Sequence, residues 1–165
     1  MDHYQCTEQW ISREWILDRY DFYKTMLFRI AFSYLGNKQD CEDILQEAFI
    51  KLCFNAPDFP SDEDEKRWII RITINLCKNH KKSIWNRSKI NLEEIEEYAI
   101  QPENRELLSD ILRLPTKYKI IIQLYYFVGY KIGEICEILN ISESAAKMRL
   151  KRGRELLKIE LEDYI

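Results

Sequence analysis

The sequence predicts an all-α protein of two small helical domains that are joined by a linker. Composition is the first observation, because the 165 residues include only four Gly and four Pro, which favours helices over a turn-rich β fold. The second is the recurrence of apolar residues at helical spacing in two separate stretches. The third is the loss of that spacing over residues 83–104, where we expect the linker.

Four helices are expected before the linker, at about residues 8–20, 21–35, 40–54 and 65–82. Gly36 separates the second from the third. A strand remains an alternative for the β-branched run IIRITI within the last, although its length and polar stripe favour a helix. The side chains expected to face the core are Tyr23, Leu27, Ile30, Tyr34, Cys41, Leu45, Ala48, Leu52, Ile69, Ile72 and Leu76. The apolar side expected for the helix at 8–20 consists of Trp10, Ile11, Trp15 and Ile16.

The second half ends in a pattern that is typical of a helix-turn-helix. Apolar residues lead up to Pro115, and a strongly apolar stretch at 116–128 follows and ends at Gly129. Two helices at about 131–139 and 143–159 are then separated by a three-residue turn, Asn140-Ile141-Ser142. The expected core positions of this pair are Ile132, Ile135, Leu139, Ala146, Leu150 and Leu157.

The charge distribution points to a polyanionic partner more clearly than the net charge of −3 does. Residues 147–158 carry six cations and one acid, and residues 78–89 carry five cations and no acid. A basic face on the second helix of a helix-turn-helix predicts DNA reading in the major groove. The alternative is the solvated basic face of an ordinary bundle helix.

Several other classes of protein are not expected. The five cysteines are scattered and form no CxxC, which argues against disulfides and zinc and favours reduced thiols on apolar faces in a cytosol. The two histidines lie far apart, and no Gly-rich phosphate loop occurs, so we expect no enzyme site, cofactor or metal. The N-terminus does not resemble a signal peptide, and no run is long enough to span a membrane.

Four sequence segments together resemble the extracytoplasmic-function (ECF) group of the sigma-70 family of bacterial RNA polymerase sigma factors. In the first half they are YLGNKQDCEDILQEAFIKL and RWIIRITINLCKNHKK; in the second they are the LP at Leu114-Pro115 and YKIGEICEILNISESAAKMRLKRGRELL. The resemblance covers about residues 22–86 and 105–160. It implies a region 2 helical bundle at 1–86, an acidic linker at 87–104 and a region 4 helix-turn-helix at 105–165.

The resemblance also implies three sets of functional residues. The residues that match the family's helix for core polymerase are Asp40, Glu42, Asp43, Gln46 and Glu47. Phe49 and Leu52 lie near this set. Those that match its −10 melting helix are Trp68, Arg71, Asn75, Lys78 and Asn79. Those that match its −35 contacts are Ser144, Lys147, Met148, Arg149, Lys151 and Arg152.

Three of these positions, and the linker, keep two interpretations. Trp68 could hold an extruded base or pack in the core. Asn79 stands where relatives often have an acid, so its role is open. Met148 stands where relatives are often polar, and it could touch a thymine methyl group or pack. The acidic run at 93–97 could mimic nucleic-acid charge in a polymerase channel or be a solvated spacer.

The implied partners are core RNA polymerase, promoter DNA and an anti-sigma factor, with no small-molecule substrate. On the polymerase, the clamp helices of the largest subunit and the flap of the second-largest subunit are expected to make the contacts. The expected setting is the bacterial cytoplasm in an envelope or stress response, with the anti-sigma factor in some cases holding the protein at the membrane. A conventional helix-turn-helix regulator with an N-terminal interaction domain is the alternative, and an adaptor that binds no DNA is a third hypothesis.

Overall fold

The computed structural model of the chain describes residues 12–83 and 105–161. Every regular element within these two ranges is helical, which confirms the predicted all-α class. The linker expected at 87–104, with its acidic run, lies outside the described residues, as does the beginning of the helix predicted at 8–20.

The first helix, α1 (Arg13–Leu35), runs unbroken where the sequence suggested two helices meeting near Tyr20. No Gly or Pro occurs between its ends, so nothing in the backbone chemistry interrupts it. Ser12 caps its start, since the Ser12 Oγ accepts a hydrogen bond from the Trp15 N–H at 3.1 Å. Gly36 ends it in the left-handed conformation, with φ of 74°.

Helices α2 (Lys38–Phe54) and α3 (Asp62–Ser83) complete the first half. The residue before each supplies a side-chain cap. Asn37 Oδ1 accepts the Asp40 N–H at 2.9 Å, and Ser61 Oγ caps α3 in the same way. The first turn of α3 is entirely acidic, which suits the positive end of the helix dipole. All three helices pack against one another.

The second half contains α4 (Arg105–Arg113), α5 (Thr116–Ile122), α6 (Ile132–Leu139) and α7 (Glu143–Leu161). A π-helical segment, Gln123–Val128, continues α5. Both α5 and α6 pack against α7, and α6 and α7 form the predicted helix-turn-helix.

The turn of the helix-turn-helix is set by two of its three residues. Asn140 adopts a left-handed φ of 52°, a conformation that Asn tolerates better than most residues. Ser142 Oγ then accepts the Ala145 N–H at 3.2 Å and begins α7. Ala146 is fully buried, so α7 approaches its neighbours closely at that point.

Buried side chains of both halves form one continuous cluster, in which α1 contacts α5 and α3 contacts α6. The predicted core positions of α1 and α2 are buried except for Tyr34, which is half-buried. On the apolar side predicted for residues 8–20, Trp15 is half-buried and Ile16 is exposed. On α3 the predicted face is wrong by about one position, because Ile72 and Leu76 are only half-buried. The residues of α3 that are buried between Ile69 and Cys77 are Ile69, Ile70, Thr73, Ile74 and Cys77.

The four described cysteines form no disulfide with one another. Cys41 and Cys77 are buried among apolar side chains, as expected. Burial raises the pKa of the Cys77 thiol to about 12, so this thiol stays protonated and behaves as a small apolar group. Of the helices within the described ranges, none combines the length and the apolar character needed to cross a membrane.

Two glycines within helices give a matched prediction. A Cβ at Gly133 on α6 would meet nothing within 4 Å, whereas a Cβ at Gly153 on α7 would lie 3.1 Å from Ile122 Cγ1. Gly133→Ala should raise the free energy of unfolding by about 0.4–1 kcal/mol, because alanine restricts the unfolded chain more than glycine does. Gly153→Ala should gain less, because Ile122 must shift, and Gly153→Val should lose about 1–3 kcal/mol to overpacking. Urea unfolding would check this, and equal gains for the two alanine variants would contradict it.

Candidate functional site

A surface groove of about 590 Å³ lies between the N-terminal half of α1 and α2; we call it the α1–α2 groove. Two of its side chains are large, apolar and unusually open to solvent: Phe54 is 80% exposed and Ile50 is 51% exposed. Its full lining is Ile16, Tyr20, Gln39, Glu42, Asp43, Leu45, Gln46, Phe49, Ile50, Cys53 and Phe54. Clustered exposed apolar side chains with a polar rim are typical of a protein-docking surface.

The residues predicted to bind core polymerase divide between this groove and its surroundings. Glu42, Asp43 and Gln46 line the groove, and Glu47 is exposed on α2 outside the lining. Asp40 faces elsewhere. Its carboxylate accepts a hydrogen bond from the Asn37 side chain at 2.7 Å and lies 3.4 Å from His80 Nε2 on α3. Asp40 therefore fixes the start of α2 against α3.

Sequence reasoning placed Phe49 near the core-binding residues but missed the other apolar side chains of the groove. Ile50 and Phe54 follow Gln46 at i+4 and i+8, so the three share one face of α2. Neither Ile50 nor Phe54 received a predicted role, because apolar residues at helical spacing ordinarily indicate core packing and only their exposure in the fold indicates a docking surface. Tyr20 comes from α1, and its ring lies 5.0 Å from that of Phe49, a contact that no local pattern reveals.

On α3, the predicted −10 residues Arg71, Asn75, Lys78 and Asn79 are all exposed. Trp68 differs, because it is half-buried against the core and its ring meets the ring of Phe59 edge-on at 5.7 Å. Trp68 therefore has a packing role in the core.

The outer face of α7 carries the predicted −35 residues. Ser144, Lys147, Met148, Lys151 and Arg152 are exposed, and Arg149 is half-buried. Glu143 Oε1 lies 2.5 Å from Lys147 Nζ, one helical turn away. This hydrogen bond raises the pKa of the Lys147 ammonium and lowers that of the Glu143 carboxyl, so both groups stay charged at neutral pH.

A second groove, of about 510 Å³, separates the start of α5 from α7; we call it the α5–α7 groove. It contains four cations and one acid, and the acid, Glu155, already pairs with Arg152 at 3.1 Å. Its full lining is Lys117, Tyr118, Ala145, Met148, Arg149, Lys151, Arg152 and Glu155. Lys117 was not predicted, since it lies far along the chain from the basic run of α7. The electrostatics suit a phosphate backbone.

A polar cluster under the start of α3 has a structural role. Tyr23 donates a hydrogen bond to the buried Glu65 carboxylate at 2.8 Å, and the Arg19 guanidinium lies 3.3 Å from Glu65 and 3.2 Å from Asp62. Burial raises the pKa of the Tyr23 hydroxyl, which stays protonated as the donor. These bonds tie α1 to α3.

Within the described ranges, no group of three or more His, Cys, Asp or Glu side chains could hold a metal ion.

Both halves of the chain match known sequence families. Residues 20–87 match Sigma-70 region 2, and residues 105–157 match Sigma-70, region 4. The ECF RNA polymerase sigma factor SigW of Bacillus subtilis is 32% identical, over 88% of this chain and 88% of that protein. The chain belongs to the ECF group of the sigma-70 family.

Further relatives agree with this membership. RNA polymerase sigma factor SigV of Bacillus subtilis is 29% identical, over 84% of this chain and 86% of its own length. The structure of CnrH in complex with the cytosolic domain of CnrY has a TM-score of 0.65 at 20% identity, covering 92% of this chain and 90% of that one. The sigma factor RpoE of Bartonella quintana, in complex with the anti-sigma factor NepR, has a TM-score of 0.61 at 17% identity, covering 88% and 97%. These two likenesses show the shared fold.

As an ECF sigma factor, the protein directs transcription initiation by RNA polymerase, as the resemblance implied. The alternative of a conventional helix-turn-helix regulator is not favoured, because the first half matches region 2 over residues 20–87. Sigma factors are not themselves enzymes; the polymerase performs the chemistry.

In this ECF sigma factor, the cationic edge of α3 is packed against α6 of the helix-turn-helix. Arg71 Nη2 donates a hydrogen bond to the Glu137 carbonyl at 3.3 Å, and Arg67 Nη1 lies 3.8 Å from Glu134 Oε1. Lys66 Nζ lies over the Tyr130 ring, 5.5 Å from its centroid. In this arrangement, therefore, α6 shields part of the face of α3 that carries Arg71.

A buried polar contact joins the two halves deeper in the core. Gln123, in the π-helical segment, donates a side-chain hydrogen bond to Ser33 Oγ on α1, and both residues are buried. Ser33 Oγ in turn donates to the Arg29 carbonyl at 3.0 Å, so the hydroxyl both donates and accepts. A polar pair inside an otherwise apolar contact fixes how α1 and α5 are aligned, because a shifted arrangement would leave a buried group unpaired.

A double-mutant cycle tests this contact. Ser33→Ala should cost about 1–3 kcal/mol, because it leaves the Gln123 amide buried without a partner. Gln123→Met should cost about 1 kcal/mol, and the double variant should cost clearly less than the sum of the two. Urea unfolding measures all three free energies, with Gln39→Met at an exposed position of α2 as the unchanged control. Strictly additive losses would show that the two side chains do not interact.

Proposed function

We propose that this sigma factor binds core RNA polymerase through the α1–α2 groove, with the clamp helices of the largest subunit as the occupant. The observation that carries this is the combination of exposed Ile50 and Phe54 with Glu42, Asp43 and Gln46 in one groove. An amphipathic helix with basic flanks would bury its apolar side chains there while its cations meet the acids. The acids would steer the encounter, and the apolar contact would supply most of the affinity.

The two halves have separate DNA-binding roles in this proposal. Residues 1–86 form the region that binds polymerase and melts the −10 element through the exposed face of α3. Residues 105–165 read the −35 element through α7, with Lys147, Lys151 and Arg152 on the outer face and Lys117 on the far side of the α5–α7 groove. Residues 87–104 connect them. A second polymerase contact, to the flap of the second-largest subunit, would hold residues 105–165 in register.

Regulation by an anti-sigma factor extends the proposal. The solved structures that resemble this chain include one sigma factor complexed with the cytosolic domain of CnrY and one complexed with the anti-sigma factor NepR. A similar partner would hold this protein inactive in the bacterial cytoplasm, in some cases at the membrane, until an envelope or stress signal releases it. Because the α1–α2 groove is already exposed, such a partner could compete with polymerase for it.

Transcription in vitro with purified core polymerase tests the function directly. The protein should cause initiation at defined positions on a library of promoter fragments, and it should bind the same duplexes weakly when core is absent. Core alone and a heterologous sigma factor serve as controls. Tight binding to a duplex without core, combined with no defined start site, would refute the proposal.

Removing one groove side chain should weaken core binding selectively. Phe54→Ser should reduce the affinity for core polymerase at least about tenfold, since a largely exposed aromatic anchor would be lost from the interface. Phe22→Ser is the matched control, because Phe22 is 68% exposed on α1 but does not line the groove. Fluorescence titration with labelled protein measures both affinities. Equal losses, or none for Phe54→Ser, would place the core contact elsewhere.

Changing the centre of the exposed α3 face should impair melting alone. Asn75→Ala should slow open-complex formation about tenfold or more, because an amide that holds an extruded base would be missing. Core affinity should be unchanged, since Asn75 lies outside the α1–α2 groove. Permanganate reactivity of the −10 thymines and the core titration report the two steps separately. A parallel loss of core affinity would indicate a folding role for Asn75.

A further inference from the structure

Met148 is an apolar residue on the otherwise polar and charged outer face of α7. It is 67% exposed, although the apolar side of this helix is already complete with the buried Ala146, Leu150 and Leu157. Packing within the chain therefore does not account for its position. A single exposed apolar residue is common on protein surfaces, so its surroundings must decide whether it has a role.

Those surroundings are cationic. Met148 lines the α5–α7 groove with Lys117, Arg149, Lys151 and Arg152, and the one acid of the groove is already paired with Arg152. A protein partner that buried Met148 would also have to neutralise these cations, whereas a DNA backbone neutralises them with phosphates. The electrostatics therefore favour DNA as the molecule that covers Met148.

Its place along the helix agrees with this. α7 begins at Glu143, so Met148 is the sixth residue and lies about 7.5 Å along the axis, within the first two turns. Recognition helices reach base edges with their N-terminal residues, while flanking cations contact phosphates. Ser144 stands one turn before Met148 and Arg152 one turn after, both exposed, so the same face continues in both directions.

The chemistry of the side chain restricts what it can read. A thioether has no hydrogen-bond donor and only a weak acceptor, so it cannot match the polar groups of a base edge. The thymine C5 methyl group is the apolar feature of the major-groove code. We propose that Met148 is a specificity-determining residue that contacts a thymine methyl group in the −35 element. This inference rests on the proposed placement of α7 in the −35 major groove.

Deoxyuridine substitution tests the inference at the level of one methyl group. A promoter selected from a randomised library by the wild-type holoenzyme is rebuilt with each −35 thymine, on either strand, replaced in turn by deoxyuridine. At one position the loss of the methyl group should reduce wild-type initiation about fourfold, the amount expected for one buried methyl group. Met148→Ala should initiate equally from both templates at that position, and Met148→Leu should restore the difference.

The possible outcomes distinguish a failure of the inference about Met148 from a failure of the proposed −35 recognition by α7. If the wild type depends on the −35 element and Met148→Ala responds to every deoxyuridine as the wild type does, Met148 does not read a methyl group. If scrambling the −35 element leaves wild-type initiation unchanged, the proposed role of α7 fails and the inference about Met148 fails with it. Lys151→Ala is the matched control, since losing a phosphate contact should lower initiation on all templates and keep the deoxyuridine effect.

Discussion

The hydrogen bond between Gln123 and Ser33 is the constraint on which the relation between the two halves depends. It lies where α1 contacts α5, and apolar side chains of both helices, such as Leu27 and Ile121, are fully buried in the same core. The apolar contact alone would tolerate small shifts of one helix along the other. The buried amide of Gln123 does not, because a shift would move it away from the Ser33 hydroxyl to which it donates. Once α5 is fixed on α1, the short connection to α6 places the helix-turn-helix against α3.

That placement has a consequence for the surface of α3 that is proposed to face promoter DNA. The cations of α3 that contact α6, Arg67 and Arg71, belong to the same edge as the exposed Asn75 and Lys78. DNA that reached Arg71 would have to displace the Glu137 carbonyl from it. Contacts of this kind near the surface contribute only about 0–1 kcal/mol each, so this exchange costs little. Separating α1 from α5 costs more, because a buried polar pair and apolar surface would be exposed together.

Helix periodicity and capping residues predicted most of the fold, because those signals are local. Gly36, Ser142 and the Asn140 turn act within a few residues of where they stand. The face of α3 was mispredicted since its apolar residues occupy more than one side, and only contact with α1 and α2 decides which side is buried. Thr73 illustrates this, because its hydroxyl donates to the Ile69 carbonyl at 2.8 Å and so becomes compatible with the core. The groove side chain Tyr20 and the cation Lys117 could not be found locally, because the residues beside them come from other helices.

Helix α7 combines packing on one side with the recognition role proposed for the other. Its inner positions are small where neighbours come close: Ala146 is fully buried, and Gly153 faces Ile122 of α5. Close packing on that side restricts rotation of α7 about its axis. The long side chains of the outer side are not needed for packing and project into solvent. Lys147 is further restrained by Glu143 one turn earlier. A rigid helix with an ordered outer face loses less conformational entropy on binding than a mobile one, and its specificity then depends on which side chains it presents.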